Sequence, residues 1–160
     1  MNPVSPLFEK IDTSIEKKVD LIEGSYLRYA VRAMLACLFL TLGTGVAFAI
    51  AMKGEHIAPG LGKMLYAFMF SWSLVMILYM HAELGTSNML YMTVGVYRKR
   101  LSIPLAAKIL FTCILFNLIG GVLFAFLIGQ TVPFQGLEAD NFLFTSIQAK
   151  LAKSTGQILI

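Results

Sequence analysis

The feature that most constrains this chain is an apolar stretch, long enough to cross a bilayer, that is interrupted by polar residues. From Lys63 to Tyr97 it reads KMLYAFMFSWSLVMILYM, then HAELGTSN, then MLYMTVGVY. The first run alone is about as long as a spanning helix requires. A carboxylate, a glycine and a Thr-Ser-Asn triplet then intervene before apolar sequence resumes. Backbone that leaves the helix at membrane depth strands amide and carbonyl groups. This is tolerated only where protein or a water-filled cavity supplies partners. Discontinuous helices of this kind build the sites of many membrane transporters. The expectation is one crossing over residues 63–97, broken at 81–88, whose break looks onto a route for a small solute.

Composition agrees with a membrane chain. Hydrophobic residues make up 58%, charged residues 14%, and mean hydropathy is +0.75, outside the range of an ordinary soluble domain. Further spans are expected at about 29–52 and 106–130. Between the first two, KGEHIAPGLGK reads as a polar turn. Residues 142–160 approach a further helix. The N-terminus carries both charge signs and no early apolar core, so it is not a cleavable signal peptide. Within residues 1–28, Phe8, Ile11, Ile15, Val19 and Ile22 recur at three- and four-residue steps. They define an amphipathic helix that lies on the membrane or docks on a neighbour. Net charge is +4, but no basic tract is dense enough for nucleic acid. Cys37 and Cys113 fall inside apolar spans and read as packing residues. Neither a metal site nor a cofactor is expected.

With the N-terminus inside, the cytoplasmic side holds nine basic residues: Lys10, Lys17, Lys18, Arg28, Arg32, Arg98, Lys99, Arg100 and Lys108. The outside holds four, Lys53, Lys63, Lys150 and Lys153. The excess favours a cytoplasmic N-terminus. An odd number of spans, followed by the start of a fourth helix, is what one repeat of a two-repeat transporter would look like.

Several residues could carry function. Glu83, an acid inside an apolar run, either accepts backbone amides and holds the break together, or serves as a proton or cation site. The structural role is the simpler. Gly85 can take unusual backbone angles, and Thr86, Ser87 and Asn88 offer small hydrogen-bonding groups. Ser87 or Asn88 could equally cap a half-helix starting at Met89, whose N-terminus would suit an anion. Lys150 and Lys153 are either snorkelling lysines or an electrostatic funnel. His56 reads as solvated, and His81 could pair with Glu83 or face a neighbouring helix. Gly43, Gly45, Gly120 and Gly121 read as close helix-packing positions. Phe68, Phe70 and Trp72 are packing or lipid-facing residues by default. No nucleophile–base pair appears, so an enzyme has little support.

The stretch FMFSWSLVMILYMHAELGTSNMLYMTVGVYRKR, with PGLGK before it, FNLIGG in the third span and the lysine of SIQAK, resembles the formate/nitrite transporter family. The likeness extends over roughly residues 5–160. It implies an all-α, aquaporin-like inverted-repeat fold, of which this chain would be the first repeat of three spans. It also implies a homopentamer in the cell membrane, each protomer passing anions such as formate, nitrite, hydrosulfide or lactate, with protons as potential co-substrates. By position, Phe70 and Leu74 resemble lining residues of the outer constriction, and Leu84 and Gly85 those of the inner one. Thr86 resembles the loop threonine that hydrogen-bonds toward the pore centre, and Lys150 the lysine that attracts anions from outside. Many relatives carry phenylalanine where this chain has Gly85, and a glycine should widen that constriction. The family's central histidine belongs to a second repeat, and neither His56 nor His81 matches it. The expectation is therefore a transporter truncated before its second repeat. The rival is an accessory protein or the split half of a transporter.

Overall fold

The computed structural model describes residues 6–138 and 141–154, and among these all regular structure is helical. Helix α1 spans Pro6–Gly24, α2 Tyr26–Ile57, α3 Leu61–Tyr79, α4 Gly85–Tyr97, α5 Ile103–Gly129 and α6 Phe142–Leu151, with a short 3-10 turn at Val132–Phe134. Helices α2, α3 and α5 are each long and apolar enough to cross a membrane. The chain is an all-α membrane protein. Whatever the sequence places in residues 1–5 and 155–160, including the end of the expected fourth helix, lies outside the described residues.

The stripe on α1 finds its cover within the chain. Ile15 and Ile22 are buried, and Ile15 packs against the backbone at Gly95 of α4. Ser25 then caps α2, its hydroxyl accepting the Arg28 amide at 3.3 Å. Helix α2 runs on past Met52 to Ile57, so the turn to α3 is shorter than the polar stretch suggests. Glu55 explains the difference. Its carboxylate accepts the amides of Gly60 (3.0 Å) and Gly62 (3.1 Å), closing the turn from the last turns of α2. Gly60 sits at φ 85°, where a side chain would be strained.

Helix α2 is the central post. Its buried positions are almost all small: Ala30, Ala33, Ala36, Gly43, Ala47, Ala51 and Gly54, with Tyr29 the large exception. Small residues let helix backbones approach closely where lipid supplies no hydrophobic drive. Helix α3 returns antiparallel along α2, with Ser73 against Gly43 and Gly62 against Gly54. Helix α5 runs parallel to α2, and at Gly120 a Cβ would lie 2.7 Å from the Met34 carbonyl oxygen, so only hydrogen fits. Gly121 is looser, its nearest neighbour being Cys37 at 3.8 Å. Large apolar side chains point outward on α3 and α5, among them Phe68, Trp72, Phe111 and Phe126, as a lipid-facing surface requires. The core gathers instead at one end, around Ile22, Tyr29, Ala33, Met92, Ile109 and Cys113. That is where the interrupted helix breaks.

Candidate functional site at the interrupted helix

The interruption covers residues 80–84, between the end of α3 and the start of α4. It is narrower than the 81–88 expected from sequence. Gly85, Thr86, Ser87 and Asn88 are not unwound but form the first turn of α4, with Leu84 in extended conformation as its N-cap. Neither Ser87 nor Asn88 is the cap. Half-helix α4 therefore begins four residues earlier than Met89. The turn is entered through His81 at φ 49°. His81 is exposed and does not pair with Glu83.

Several backbone groups at the break find partners on other helices. The Glu83 amide donates to the Arg32 carbonyl of α2 at 3.2 Å. Asn117 of α5 does most of the rest. Its side-chain oxygen accepts the Gly85 amide at 2.8 Å. Its nitrogen donates to the Ala33 carbonyl at 2.7 Å and to the Glu83 carbonyl at 2.9 Å. One amide side chain thus ties α2, the break and the start of α4 to α5. Asn117 is not among the residues expected from the sequence to carry function. The signal was present, because an amide in the apolar helix IPLAAKILFTCILFNLIGG needs a partner inside the protein.

Glu83 is buried, and its carboxylate does not accept backbone amides as the structural reading supposed. It pairs with the Lys18 ammonium of α1 at 2.6 Å and accepts from the Asn88 side chain at 3.0 Å. Lys18, also passed over in the sequence, lies over the Tyr91 ring as well, 5.2 Å from its centroid. Asn88 is fully buried and donates to the Tyr29 hydroxyl at 2.8 Å, beside Cys113. Asn88 therefore anchors α4 in the core. Among the described residues its side-chain oxygen has no partner.

The other sequence candidates fall into two groups. Leu84 is half-buried, Gly85 buried, Ser87 half-buried with its hydroxyl donating to the Leu84 carbonyl (2.9 Å), and Thr86 exposed. A Cβ at Gly85 would meet Asn117 Oδ1 at 3.3 Å and Ile114 at 3.4 Å, so α5 already crowds that position. Further along α3, Phe70 stacks on Tyr66 with ring centroids 5.9 Å apart, and Leu74 is exposed one turn closer to the break. Lys150 lies at the opposite end of the chain from the break. There it lines a cleft of about 960 Å³ with Lys63, Lys153, His56, Glu55 and Glu138. Glu55 is engaged by the two turn amides, so the lysines there outnumber the free carboxylates.

Among the described residues the amides of Thr86 and Ser87 have no acceptor. They are the orphan donors of a helix N-terminus, which favours negative charge. With Glu83 neutralised by Lys18, the exposed side of this turn is suited to a small anion.

A family model described as formate/nitrite transporter matches residues 5–160. Among curated proteins, the chain is 26% identical over 153 residues to the uncharacterized transporter YwcJ of Bacillus subtilis (strain 168). That match covers 94% of this chain and 59% of the relative, so the chain spans about three-fifths of the relative's length. No solved structure matches the chain.

Proposed function

Because the chain belongs to the formate/nitrite transporter family, we propose that it supplies one repeat of a membrane path for small monovalent anions of weak acids, formate first among them. The single observation that carries this reading is the first turn of α4, with two free amides and an exposed Thr86 beside a neutralised carboxylate. Along α3 the candidates run in order from the lysine-rich cleft, past Phe70 and Leu74, to Leu84 and Thr86. An anion would be concentrated at Lys63, Lys150 and Lys153, then squeezed past apolar side chains. Stripping its water costs several kcal/mol, and the donors at the break replace part of that hydration. A weak acid can also take up a proton and cross neutral, which chloride cannot do, so selectivity would follow basicity.

Thr86 and Leu74 face away from this chain's own core, so the opposing wall of the path belongs to a second repeat. The assembly we propose is a homopentamer in the cell membrane with the N-terminus cytoplasmic, as the excess of basic residues at the α1 end suggests. Its action is passage of solute, not catalysis.

The test is anion flux in proteoliposomes, with this chain joined to the part of the Bacillus relative that the match leaves uncovered. Formate flux, competed by nitrite, hydrosulfide or lactate and lowered several-fold by Thr86→Val without dispersal of the oligomer, supports the reading. Equal flux in parent and variant removes Thr86 from the path. Clear flux from this chain alone overturns the two-repeat reading.

A further inference from the structure

Between the lysine-rich cleft and the break, a face of α2 meets a face of α3. Thr44, Phe48 and Met52 recur at four-residue steps on α2, and Lys63, Tyr66 and Phe70 at three- and four-residue steps on α3. Residues at such steps share one side of their helix. Met52 and Lys63 line the cleft. About one turn further in, Tyr66 sits among the others. Its ring centroid lies 4.8 Å from that of Phe48, with the planes tilted by 56°, and 5.9 Å from that of Phe70, with the planes 8° from parallel. Its hydroxyl shares a hydrogen bond with the Thr44 side chain.

These contacts do different things. A phenol inside an apolar span needs a partner for its O–H, and α2 supplies one in Thr44. Tyr66 is therefore held by α2 at both ring and hydroxyl. A phenylalanine ring has no polar group to tie, so its rotamer is set by what it packs on. Phe70, half-buried, lies flat along Tyr66 in the offset parallel arrangement that aromatic pairs favour. Its alternative χ1 rotamers would carry the ring to another side of the helix.

We propose that Tyr66 is a positioning residue: braced by Phe48 and Thr44, it fixes the Phe70 ring where it narrows the path, and so sets the bulk of the anion that passes. This rests on the reading of Phe70 as part of a constriction in the path proposed above. Formate carries a hydrogen where lactate carries a hydroxyethyl group, so a fixed ring discriminates between them. An aromatic stack weights one ring position over another by roughly three- to tenfold, and that is the discrimination Tyr66 adds.

The experiment measures formate and lactate flux in proteoliposomes with the two-repeat protein described above. Tyr66→Leu should raise the lactate-to-formate flux ratio by roughly three- to tenfold, with formate flux little changed. Tyr66→Phe, which keeps the stack, should stay closer to the parent than Tyr66→Leu does. Phe48→Leu, which loosens Tyr66 from behind, should shift the ratio the same way by less, and it covers failure of Tyr66→Leu to fold. A purely structural role would lower both fluxes together. An unchanged ratio in the folded variants overturns the proposal, as does Tyr66→Phe as permissive as Tyr66→Leu. A second readout needs no flux. A fluorophenylalanine in place of Phe70 in the purified chain should give one fluorine resonance beside Tyr66, and a second or broadened one in Tyr66→Leu. Identical spectra overturn the positioning of Phe70, whereas a parent without formate flux brings down the path itself.

Discussion

Replacing Asn117 by leucine isolates the device that holds the break open. The two side chains are similar in volume, so packing against Ala33 and Ile114 changes little, but three hydrogen bonds of 2.7, 2.8 and 2.9 Å disappear. Side-chain hydrogen bonds between membrane helices contribute about 0.6 to 1 kcal/mol each. Their joint loss then amounts to about 2–3 kcal/mol, concentrated on the Gly85 amide and the Glu83 carbonyl. At 1.4 kcal/mol per factor of ten, local opening of the break should become about 30- to 150-fold more frequent. Hydrogen exchange by mass spectrometry reads this directly. Peptides covering residues 80–88 should exchange faster by that factor, while peptides over the α2–α3 turn, held by Glu55, should not change. Unaltered exchange at 80–88 in a folded Asn117→Leu protein would refute the reasoning. Uniform acceleration everywhere would mean that Asn117 supports the bundle as a whole.

Lys18→Met should destabilise the protein by about 3 kcal/mol, because it leaves the Glu83 carboxylate buried without a counter-charge. Adding Glu83→Gln should recover most of that loss, both read by denaturant unfolding in detergent; no recovery would deny the pair. Gly120→Ala should cost about 1–3 kcal/mol in the same assay, since the new methyl meets the Met34 backbone and pushes α5 from α2. Stability equal to the parent would mean that the helices reseat freely. In the two-repeat protein, Lys150→Ala should lower uptake about two- to threefold at low anion concentration and low ionic strength, with the deficit vanishing in 0.5 M salt as screening shortens. A deficit indifferent to salt would give Lys150 a packing role.

The spans and the existence of the break were legible in the sequence because hydropathy and polar interruption are local properties. Lys63 to Tyr97 cannot be apolar throughout and uninterrupted when HAELGTSN sits inside it. The extent of the break was not legible, because helix α4 starts where Asn117, 32 residues away, accepts the Gly85 amide. Helix propensity does not distinguish Gly85 as a first helical residue from Gly85 as loop. The partner of Glu83 was hidden for the same reason. Lys18 belongs to an amphipathic helix whose docking site is set by tertiary packing of Ile15 and Ile22, so nothing local pairs its charge with Glu83. The end of α2 lies beyond Met52 although KGEH is polar, because Glu55 uses its carboxylate on the turn that follows.

The ion pair at the break also decides the sign of the local field. A helix N-terminus behaves as roughly half a positive charge. At about 5 Å and an effective dielectric near 20, that attracts a monovalent anion by roughly 2 kcal/mol. A lone carboxylate at the same distance repels it by roughly 3 kcal/mol. Glu83, two residues from Gly85, would therefore turn the turn of α4 from attractive to repulsive if it stood alone. Lys18, 2.6 Å from that carboxylate, cancels it and leaves the helix terminus as the prevailing charge. Glu83 in turn holds Asn88 beneath Tyr29, which seats the first turn of α4 in the core. The break is thus held by Lys18 from α1, Tyr29 from α2 and Asn117 from α5. With three helices occupied on its inner side, the side that carries Thr86 is the one left open among the described residues.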